Sequence, residues 1–404
     1  MLQYTMAISL PKAIFNTLEY IKKYAQLPNA VLYPEFAQQD YERARDFLLA
    51  YKNNQETFKN YRREIERFLQ WSWLIRKESI LKLKREDIEL FIEFCQKPLK
   101  TWIGFNHVPR SNSNWRPFIV TLAKAKIKAG IKLDKDNYAL SEAAIKIMFA
   151  TIGSFYNFLI QEEHVSVNPV KLIKQKNKYF RKKAGTAHIR RLSPDQWLYL
   201  IRAAQNMAEE QPDKHNRTLF IIQALYGMYL RISELVSSER WQAQMNSFYK
   251  DADGNWWFKV IGKGNKERDI SVSDDMLEAF RQYRLSLNLS PLPMTTEDTP
   301  LLPKFAGRGS ITDTRHIRLI VQQCFDRAYL LMLQENKQED AEELKVATVH
   351  WLRHTGISDD VKIRPREHVR DDAGHSSGAI TDKYIDIEKR ERSLSAKHKK
   401  LIKT

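Results

Sequence analysis

Three short segments in the second half of the chain carry side chains suited to binding and attacking a phosphate. One contains Arg231, the second reads His-Trp-Leu-Arg-His at residues 350–354, and the third reads Gly-His-Ser-Ser at residues 374–377, with Tyr384 shortly after it. Arginine offers a planar fork of donors that matches two phosphate oxygens and stays charged. Because a phosphoryl-transfer transition state gathers charge on its non-bridging oxygens, a pair of arginines suits such a reaction.

A nucleophile and two kinds of proton-transfer group complete this set. Tyrosine is a poor nucleophile at neutral pH unless a neighbouring group accepts its proton, and histidine can do so. Lys263 lies between two glycines that allow a tight turn, and a lysine there could protonate a leaving alkoxide. Each residue taken alone is usually structural: a surface arginine, a hydrogen-bonded histidine, a hairpin lysine or a packed tyrosine. The whole set in one domain indicates phosphate chemistry.

The composition favours a polyanion as partner. The chain has 404 residues, and 66 Lys and Arg against 49 Asp and Glu give a net charge of +17. This charge points to nucleic acid, with a membrane surface or an acidic protein as alternatives. No run of about 18 apolar residues predicts a membrane span, and the first residues do not resemble a secretory signal. Cys95 and Cys324 are expected to be two buried thiols in a reducing cytoplasm.

The length predicts two or three domains. Residues 1–39 form an extension with one helix over 11–26, which either packs on the next domain or serves as an arm that binds DNA or a neighbour. Residues 40–170 are predicted to be a small helical bundle. Apolar stripes at three- and four-residue steps predict its helices over residues 58–69, 86–95 and 141–161. Residues 97–135 are a loop-rich insertion with a short basic helix near 124–128.

Two basic stretches are candidates for DNA contact. The first helix of the bundle can bury one face and present a basic one. Its cations are Lys59, Arg62, Arg63 and Arg67. Residues 171–191 form a linker with nine cations and no acid, a run that is normally extended and solvated. If it lay along DNA, it would neutralise phosphates and release counterions. Its candidate residues are Lys174, Lys176, Arg181, Lys182 and Lys183.

A second domain is predicted over residues 192–404. Ser193 is a helix cap with Pro194 at the first helical position and Gln196 three residues after the cap. Helices follow, and then the pattern changes to a period of two. This change predicts a turn at 253–254, a strand over 256–260, a turn at 262–265 and a strand over 268–272. The fold class is therefore mainly α: a helical bundle followed by an α-rich domain with a small antiparallel β-sheet.

The motifs of this second domain resemble those of the tyrosine recombinase family, the phage integrases and their relatives. Residues 226–235 match the form Tyr-Gly-x-x-Leu-Arg-(Ile/Val)-Ser-Glu-Leu, and residues 261–268 match Ile-Gly-Lys-Gly-Asn-Lys-Glu-Arg without a change. The His-x-Leu-Arg-His and Gly-His-Ser-Ser segments match as well, and the late tyrosine has the expected spacing. The resemblance covers residues 192–390 closely and residues 40–170 more loosely. It implies that the helical bundle is a DNA-clamp domain and that residues 192–404 form the catalytic domain.

The resemblance implies a role for each matched residue. Tyr384 would attack the scissile phosphate and form a 3′-phosphotyrosyl bond. Arg231 and Arg353 would bind the non-bridging oxygens, with Glu234 orienting Arg231, and Lys263 would protonate the departing 5′ oxygen. Because the covalent intermediate retains the energy of the phosphodiester, the resemblance implies neither ATP nor metal, and no cofactor. A 5′ hydroxyl of the partner duplex would then attack the phosphotyrosine.

The same resemblance assigns two of the three histidines. His350 would assist deprotonation of the tyrosine, and His375 would hydrogen-bond the phosphate. His354 has no assigned role and could either support the site or simply pack. Trp351 stands where the family often has Asp, and Ala373 stands where Leu usually precedes Gly-His, but neither departure removes a catalytic group.

The expected activity is site-specific recombination of duplex DNA for integration, excision or resolution of a mobile element. The expected partners are DNA with an inverted-repeat site and three further copies of the chain, as a tetramer on two duplexes in the cytoplasm at the nucleoid. The basic tail after Tyr384 either docks on a neighbouring protomer or lies on DNA or in solvent. The alternatives are a type IB-like topoisomerase, a DNA-binding accessory protein on the same fold and a metal-dependent nuclease.

Overall fold

The computed structural model describes most of the chain: residues 10–105, 108–120, 130, 132–171, 173, 190–262, 266–382, 384 and 396. The chain divides into two compact units, Met1–Gly185 and Thr186–Thr404, here called the N-terminal and C-terminal units. Helices dominate the described residues of both, and each unit has one small sheet. The predicted fold class, mainly α with a small antiparallel sheet, is confirmed.

The described part of the N-terminal unit contains five α-helices. They are α1 (Leu18–Lys23), α2 (Ala37–Leu49), α3 (Gln55–Trp71), α4 (Arg85–Gln96) and α5 (Glu142–Gln161). A π-helical turn over Ser72–Arg76 continues α3. Two short parallel strands, β1 (Ile103–Gly104) and β2 (Phe118–Ile119), lie in the segment predicted to be loop-rich. The predicted helices over 58–69, 86–95 and 141–161 correspond to α3, α4 and α5.

Helix α3 is built around the apolar stripe that its sequence predicts. The Asn54 side chain accepts a hydrogen bond from the backbone N–H of Thr57 at 3.1 Å and so caps the first turn. Ile65, Phe68 and Leu69 are fully buried in the core that α3 shares with α2 and α5. Helix α5 is long and apolar enough to cross a bilayer, but half of its most apolar stretch is buried in this core, as expected of a core helix.

The predicted helix over residues 11–26 is too long. The structure has only α1, because the chain before it makes tertiary hydrogen bonds in place of a helical ladder. The backbone N–H groups of Ile14 and Phe15 donate to Oε1 of Glu66 at 2.7 and 3.1 Å, and both side chains are fully buried. Thr17 then caps α1 by accepting from the Tyr20 N–H. The described part of the N-terminal extension is thus packed into the core of this unit.

Two predictions for the N-terminal half concern residues that the structure does not describe. The short basic helix near 124–128 lies outside the described residues. So do all five linker cations proposed to contact DNA: Lys174, Lys176, Arg181, Lys182 and Lys183.

The described part of the C-terminal unit contains eight α-helices and a three-stranded sheet. The helices are α6 (Pro194–Glu210), α7 (Pro212–Gly227), α8 (Asp274–Ser286), α9 (Thr314–Gln334), α10 (Gln338–Leu344), α11 (Val349–Asp360), α12 (Arg366–Ala373) and α13 (Gly378–Asp382). The predicted cap of α6 is present, because Ser193 and Gln196 exchange side-chain-to-backbone hydrogen bonds at 2.9 and 3.2 Å. Cys95 and Cys324, one in each unit, are both buried and free, as the sequence predicted.

The antiparallel sheet has the order β3 (Phe248–Lys250), β4 (Trp256–Ile261), β5 (Glu267–Ser271). Strands β4 and β5 are the two predicted ones, and β3 is an additional edge strand that pairs with β4. Phe258, Val260 and Ile270 point from the sheet into the hydrophobic core, so one face is buried. Residues 263–265, between β4 and β5 in the sequence, lie outside the described residues.

Gly356 allows α11 to pack closely against the end of α7. A Cβ atom at this position would overlap the carbonyl oxygen of Tyr226 and lie 3.0 Å from its carbonyl carbon. Because the obstacle is backbone, it cannot rotate away as a flexible side chain could. Helix α11 carries three of the residues with candidate chemistry, so this close approach also sets where they lie.

We expect Gly356→Ala to lower the free energy of unfolding by about 3 kcal/mol or more, since overpacking against backbone forces two helices apart. Urea unfolding followed by circular dichroism measures this change. Gly378→Ala is the matched control, because a Cβ there would meet nothing within 4 Å. Equal midpoints for the two variants would show that the α7–α11 contact tolerates a methyl group.

Candidate active site

Two arginines meet at the C-terminal end of α12. Arg353, on α11, is 3 % exposed, and its Nη2 donates to the carbonyl oxygen of Ala373 at 2.6 Å. Arg231 follows α7, and its Nη2 donates to the next carbonyl along the chain, that of Gly374, at 3.1 Å. The last carbonyls of a helix lack intrahelical partners and carry partial negative charge, which suits guanidinium groups. The fold therefore holds both guanidinium groups at the C-terminal end of α12.

Two residues near these arginines, Tyr229 and Gly374, have left-handed backbone conformations. Tyr229 is fully buried and adopts a left-handed φ of 49°, which is uncommon for a residue with a side chain. Its carbonyl oxygen accepts a hydrogen bond from Nη1 of Arg353. Gly374 ends α12 with a φ of 62°, and a Cβ atom there would lie 2.9 Å from Cδ of Arg268. A glycine is therefore required at that position both by its conformation and by the available space.

Glu234 is a buried carboxylate that holds two arginines. It accepts from Nη1 of Arg231 at 3.0 Å and forms a two-pronged pair with Arg268 at 2.8 and 2.9 Å. Burial would raise the pKa of Glu234, but the hydrogen bonds and charges of Arg268 and Arg231 outweigh it and lower the pKa below its usual value. The carboxylate is therefore charged at neutral pH and fixes the plane of the Arg231 guanidinium.

Asp372 is a second buried carboxylate, and it joins the sheet to α12. Asp372 accepts from the backbone N–H of Ser271 at 3.1 Å, from the Ser271 hydroxyl at 2.5 Å and from Nη2 of Arg364 at 2.7 Å. Its carbonyl oxygen accepts from Nε of Arg268 at 3.0 Å. Arg364 in turn donates to the Tyr229 hydroxyl at 2.9 Å. This network ties β5 to α12, whose C-terminal end binds Arg231 and Arg353. The sheet therefore helps to position both arginines.

Tyr384 lies against two histidines of this unit, His354 and His375. Its hydroxyl is 2.5 Å from Nδ1 of His354, and its ring stacks on that of His375 with centroids 5.7 Å apart. The ring of His350 packs edge-on against His354, with centroids 4.3 Å apart. His375 is positioned by a hydrogen bond of 2.9 Å between its Nδ1 and the hydroxyl of Thr381, which is fully buried.

The charge states at this cluster follow from burial and from the arginines. Burial raises the pKa of Tyr384, and the positive charges of Arg353 and Arg231 partly offset the increase. Burial, with repulsion from neighbouring positive groups, lowers the pKa of His354 and of His375 to about 4 each. At neutral pH the tyrosine is protonated and these two imidazoles are uncharged, so either ring can receive a proton.

The structure brings together most of the predicted site. Arg231, Arg353, His375 and Tyr384 are linked through the end of α12 and the aromatic cluster, whereas His350 is exposed and contacts the cluster through the His354 ring. The predicted Lys263 lies outside the described residues. The catalytic roles of all six residues remain predictions.

Two residues at the site had no predicted role. His354 makes the hydrogen bond to Tyr384, and its spacing of four from His350 was the available signal, because residues at i and i+4 share a helix face. Arg268 closes the matched Gly-Lys-Gly segment, but its pairing with Glu234 joins residues far apart in the chain. Sequence spacing alone does not reveal such a pairing.

The cations proposed for DNA contact on α3 do not share one open face. Arg67 is 12 % exposed, donates to the carbonyl of Pro117 at 2.8 Å and pairs with Glu64, so its guanidinium points into the N-terminal unit. Arg62 donates to the carbonyl of Asn16. The expectation of a continuous basic face is corrected for these two residues, since protein acceptors hold both. Lys59 and Arg63 are more exposed, at 54 % and 46 %, and pair with acidic neighbours on the same helix.

We expect Glu234→Gln to lower the free energy of unfolding by about 3 kcal/mol at pH 7, because it leaves Arg268 buried beside a neutral group. The folded-state pKa of Glu234 is below its usual value, so its contribution is present above about pH 4.5 and is lost as pH falls through the folded-state pKa. Urea unfolding of both proteins at pH 7 and at low pH measures this. A difference that stayed constant down to about pH 3 would contradict the charged pair.

The sequence is similar to those of known DNA recombinases. No family model matches the chain. The tyrosine recombinase XerC of Chlorobaculum parvum is 24 % identical over 280 residues, which are 67 % of this chain and 76 % of that protein. The XerC of Leptospira interrogans serovar Lai is 26 % identical over 311 residues, 75 % of this chain and 81 % of that one. The tyrosine recombinase XerD of Rickettsia conorii is 31 % identical over 212 residues, 52 % and 59 % of the two chains.

Two solved structures share the fold. One is the XerH site-specific recombinase bound to palindromic difH substrate after cleavage, with a TM-score of 0.55, 15 % identity and coverage of 96 % of this chain and 98 % of that one. The other is the Tn1549 transposon integrase in complex with a circular intermediate DNA, with a TM-score of 0.50, 15 % identity and coverage of 88 % and 98 %. The described fold is thus that of integrases and recombinases.

The fold and the motifs together define a class of DNA recombinases. The chain is similar to the tyrosine recombinases XerC and XerD over about two thirds to three quarters of its length.

Proposed function

We propose that the protein is a site-specific recombinase that cleaves and rejoins duplex DNA through Tyr384. The observation that carries this proposal is the position of the Tyr384 hydroxyl, 2.5 Å from Nδ1 of His354, whose imidazole is uncharged. The positive charges of Arg353 and Arg231 also act on this tyrosine. A tyrosine at the surface of an ordinary domain would have neither a proton acceptor nor phosphate-binding groups at hand. The arrangement suits in-line attack on a phosphodiester.

In the proposed reaction, Oη of Tyr384 attacks the scissile phosphorus, a P–Oη bond forms and the P–O5′ bond breaks. Arg231 and Arg353 stabilise the charge that develops on the non-bridging oxygens, and His375 hydrogen-bonds the phosphate. The tyrosyl proton passes to a histidine, and Lys263 donates a proton to the departing 5′ oxygen. The 3′-phosphotyrosyl product retains the energy of the broken bond, so the reaction needs neither ATP nor a metal ion.

Glu234 and Arg268 have a supporting part in this proposal. The buried carboxylate holds Arg231 in one orientation, and Arg268 holds the carboxylate through two hydrogen bonds. An arginine that is already oriented loses little freedom when phosphate binds, so its interaction energy is available to the transition state. Arg353 is held in the same manner by two backbone carbonyls.

The proposed partner is duplex DNA with an inverted-repeat site. The net charge of +17 supports a polyanion, and the related XerH recombinase is bound to a palindromic substrate. Lys59, Arg63 and the linker cations are the proposed phosphate contacts. An inverted repeat has two half-sites and so binds two protomers, and we propose that two such duplexes are held by a tetramer. We further propose that the protein acts in the cytoplasm, in integration, excision or resolution of a mobile element.

A nicked suicide duplex tests this function. Its sequence is taken from an inverted repeat with a short spacer in the DNA that flanks the gene. We expect a protein–DNA adduct that survives denaturation, forms in EDTA without ATP and maps to Tyr384 by mass spectrometry. Two duplexes that carry the same site should exchange strands and yield recombinant product, whereas a topoisomerase would relax DNA without a second duplex. No adduct on any such repeat, or an adduct at another residue, would contradict the proposal.

A further inference from the structure

Among the three histidines near Tyr384, His354 is the one whose nitrogen meets the hydroxyl. The distance of 2.5 Å between Nδ1 and Oη is short enough for a proton to move along it, and the rings lie with centroids 5.4 Å apart. His350 lies one turn earlier on α11 and is exposed, and its described contact with this cluster is made through the His354 ring. His375 meets Thr381 through Nδ1 and stacks its ring on the tyrosine.

We propose that His354 accepts the proton of Tyr384 as the tyrosine attacks the phosphate. This inference rests on the proposed function and adds a catalytic residue to it, because His354 touches the reacting atom. In the required tautomer Nε2 carries the hydrogen and Nδ1 is free to accept. As the P–Oη bond forms, the O–H bond breaks and its proton becomes an N–H bond on Nδ1. The imidazolium then returns this proton when the tyrosine leaves during rejoining.

The surroundings of His354 suit this exchange. It follows Arg353 directly on α11, so the helix that fixes the phosphate-binding guanidinium also fixes the proton acceptor. The groups that face its ring are His350 and Arg353 on its own helix, His375 after α12, and Tyr384. Burial, with repulsion from His350 and Arg353, lowers the pKa of His354 and keeps the imidazole uncharged before the reaction. The negative phosphate, when bound, offsets the positive charge of Arg353 and stabilises the imidazolium that forms.

Three variants separate proton transfer from positioning. His354→Ala removes the acceptor. His354→Asn places an amide oxygen close to the position of Nδ1, so it keeps a hydrogen bond to Tyr384 but cannot take up a proton at neutral pH. His215→Ala is the matched control, because His215 is another buried histidine whose Nδ1 meets a hydroxyl, that of Thr218, at 3.1 Å. It lies in the first turn of α7, about 18 Å along the helix axis from Gly227.

The measurement is the single-turnover rate of adduct formation on the suicide duplex, across pH, with DNA affinity and thermal unfolding recorded for each variant. At pH 7 we expect both His354 variants to be slower than the parent by about 100-fold or more, with affinity within about twofold. Their rates should rise steadily toward pH 10 as the phenol ionises by itself, while the parent rate changes little between pH 6 and 9. His215→Ala should keep the parent's pH profile.

A substrate with sulfur in place of the bridging 5′ oxygen adds a second readout. Its thiolate leaving group needs no proton, so this substrate should not restore the rate of adduct formation in the His354 variants. The same substrate would restore the rate of a variant that had lost the proton donor to the leaving group. Restoration of His354→Ala by this substrate, or a parent rate in His354→Asn at pH 7, would overturn the proposal. If the parent itself formed no adduct, the proposed function would fail instead, so the two failures are distinguishable.

Discussion

Tyr384→Phe is expected to form no covalent adduct with a nicked suicide duplex, while it still binds the DNA. The substitution removes one oxygen atom, and with it the nucleophile and the hydrogen bond to His354. The ring, which stacks on His375 at 5.7 Å between centroids, is retained, so the surrounding cluster should keep its packing. Denaturing gel electrophoresis measures the adduct, and a gel shift under native conditions measures binding.

The control for this result is Tyr283→Phe. Tyr283 is a buried tyrosine on α8, in the same unit, and its hydroxyl donates to the carbonyl of Leu301 at 3.1 Å. Loss of that hydrogen bond should cost about 1 kcal/mol of stability and leave the adduct yield unchanged. An adduct that survived denaturation in the Tyr384→Phe protein would show that another residue is the nucleophile.

Arg353→Ala is expected to slow cleavage by about 100- to 1000-fold, or roughly 3–4 kcal/mol of transition-state stabilisation, while DNA affinity falls much less. The charge on the non-bridging oxygens is greatest in the transition state, so the loss should appear mainly in the rate of the chemical step. Single-turnover adduct formation at saturating protein measures this rate separately from binding.

The buried position of Arg353 requires a second variant, because Ala also leaves the carbonyls of Tyr229 and Ala373 without a donor. Arg353→Lys keeps a positive charge but lacks the planar fork, so it should recover stability better than it recovers rate. Thermal unfolding of both variants separates these effects. A cleavage rate equal to that of the parent in either variant would contradict the two-arginine site.

Local patterns predicted the elements of this protein well where one stripe or one cap determined them. Helix α3 follows its apolar stripe, and α6 begins at the predicted Ser193–Gln196 pair. The helix predicted over 11–26 was wrong in length, because Glu66, distant in sequence, binds the backbone that a helix would have used. A local pattern contains no information about such a partner, so α1 is shorter than its periodicity suggested.

Contacts with distant segments also explain where the arginine side chains of α3 lie. The sequence correctly places Arg62 and Arg67 between apolar positions, from which an open basic face was predicted. Their guanidinium groups instead reach the carbonyls of Asn16 and Pro117. Arginine can bury its stem and still satisfy its donors on protein carbonyls, and whether it does so depends on which segments fold against the helix.

The sequence by itself determined the types and order of the chemical groups, and with them the resemblance to the tyrosine recombinases. The spacing of His350, Arg353 and His354 along one helix was also determined, since a helix converts spacing into a shared face. Only the tertiary structure decided which of these histidines meets Tyr384, because that choice depends on how the segment after α12 returns to α11. It likewise decided that Glu234 binds Arg268 as well as Arg231, through a pairing between the segment after α7 and strand β5. Contacts between distant segments follow from the packing of the whole unit, which no local spacing encodes.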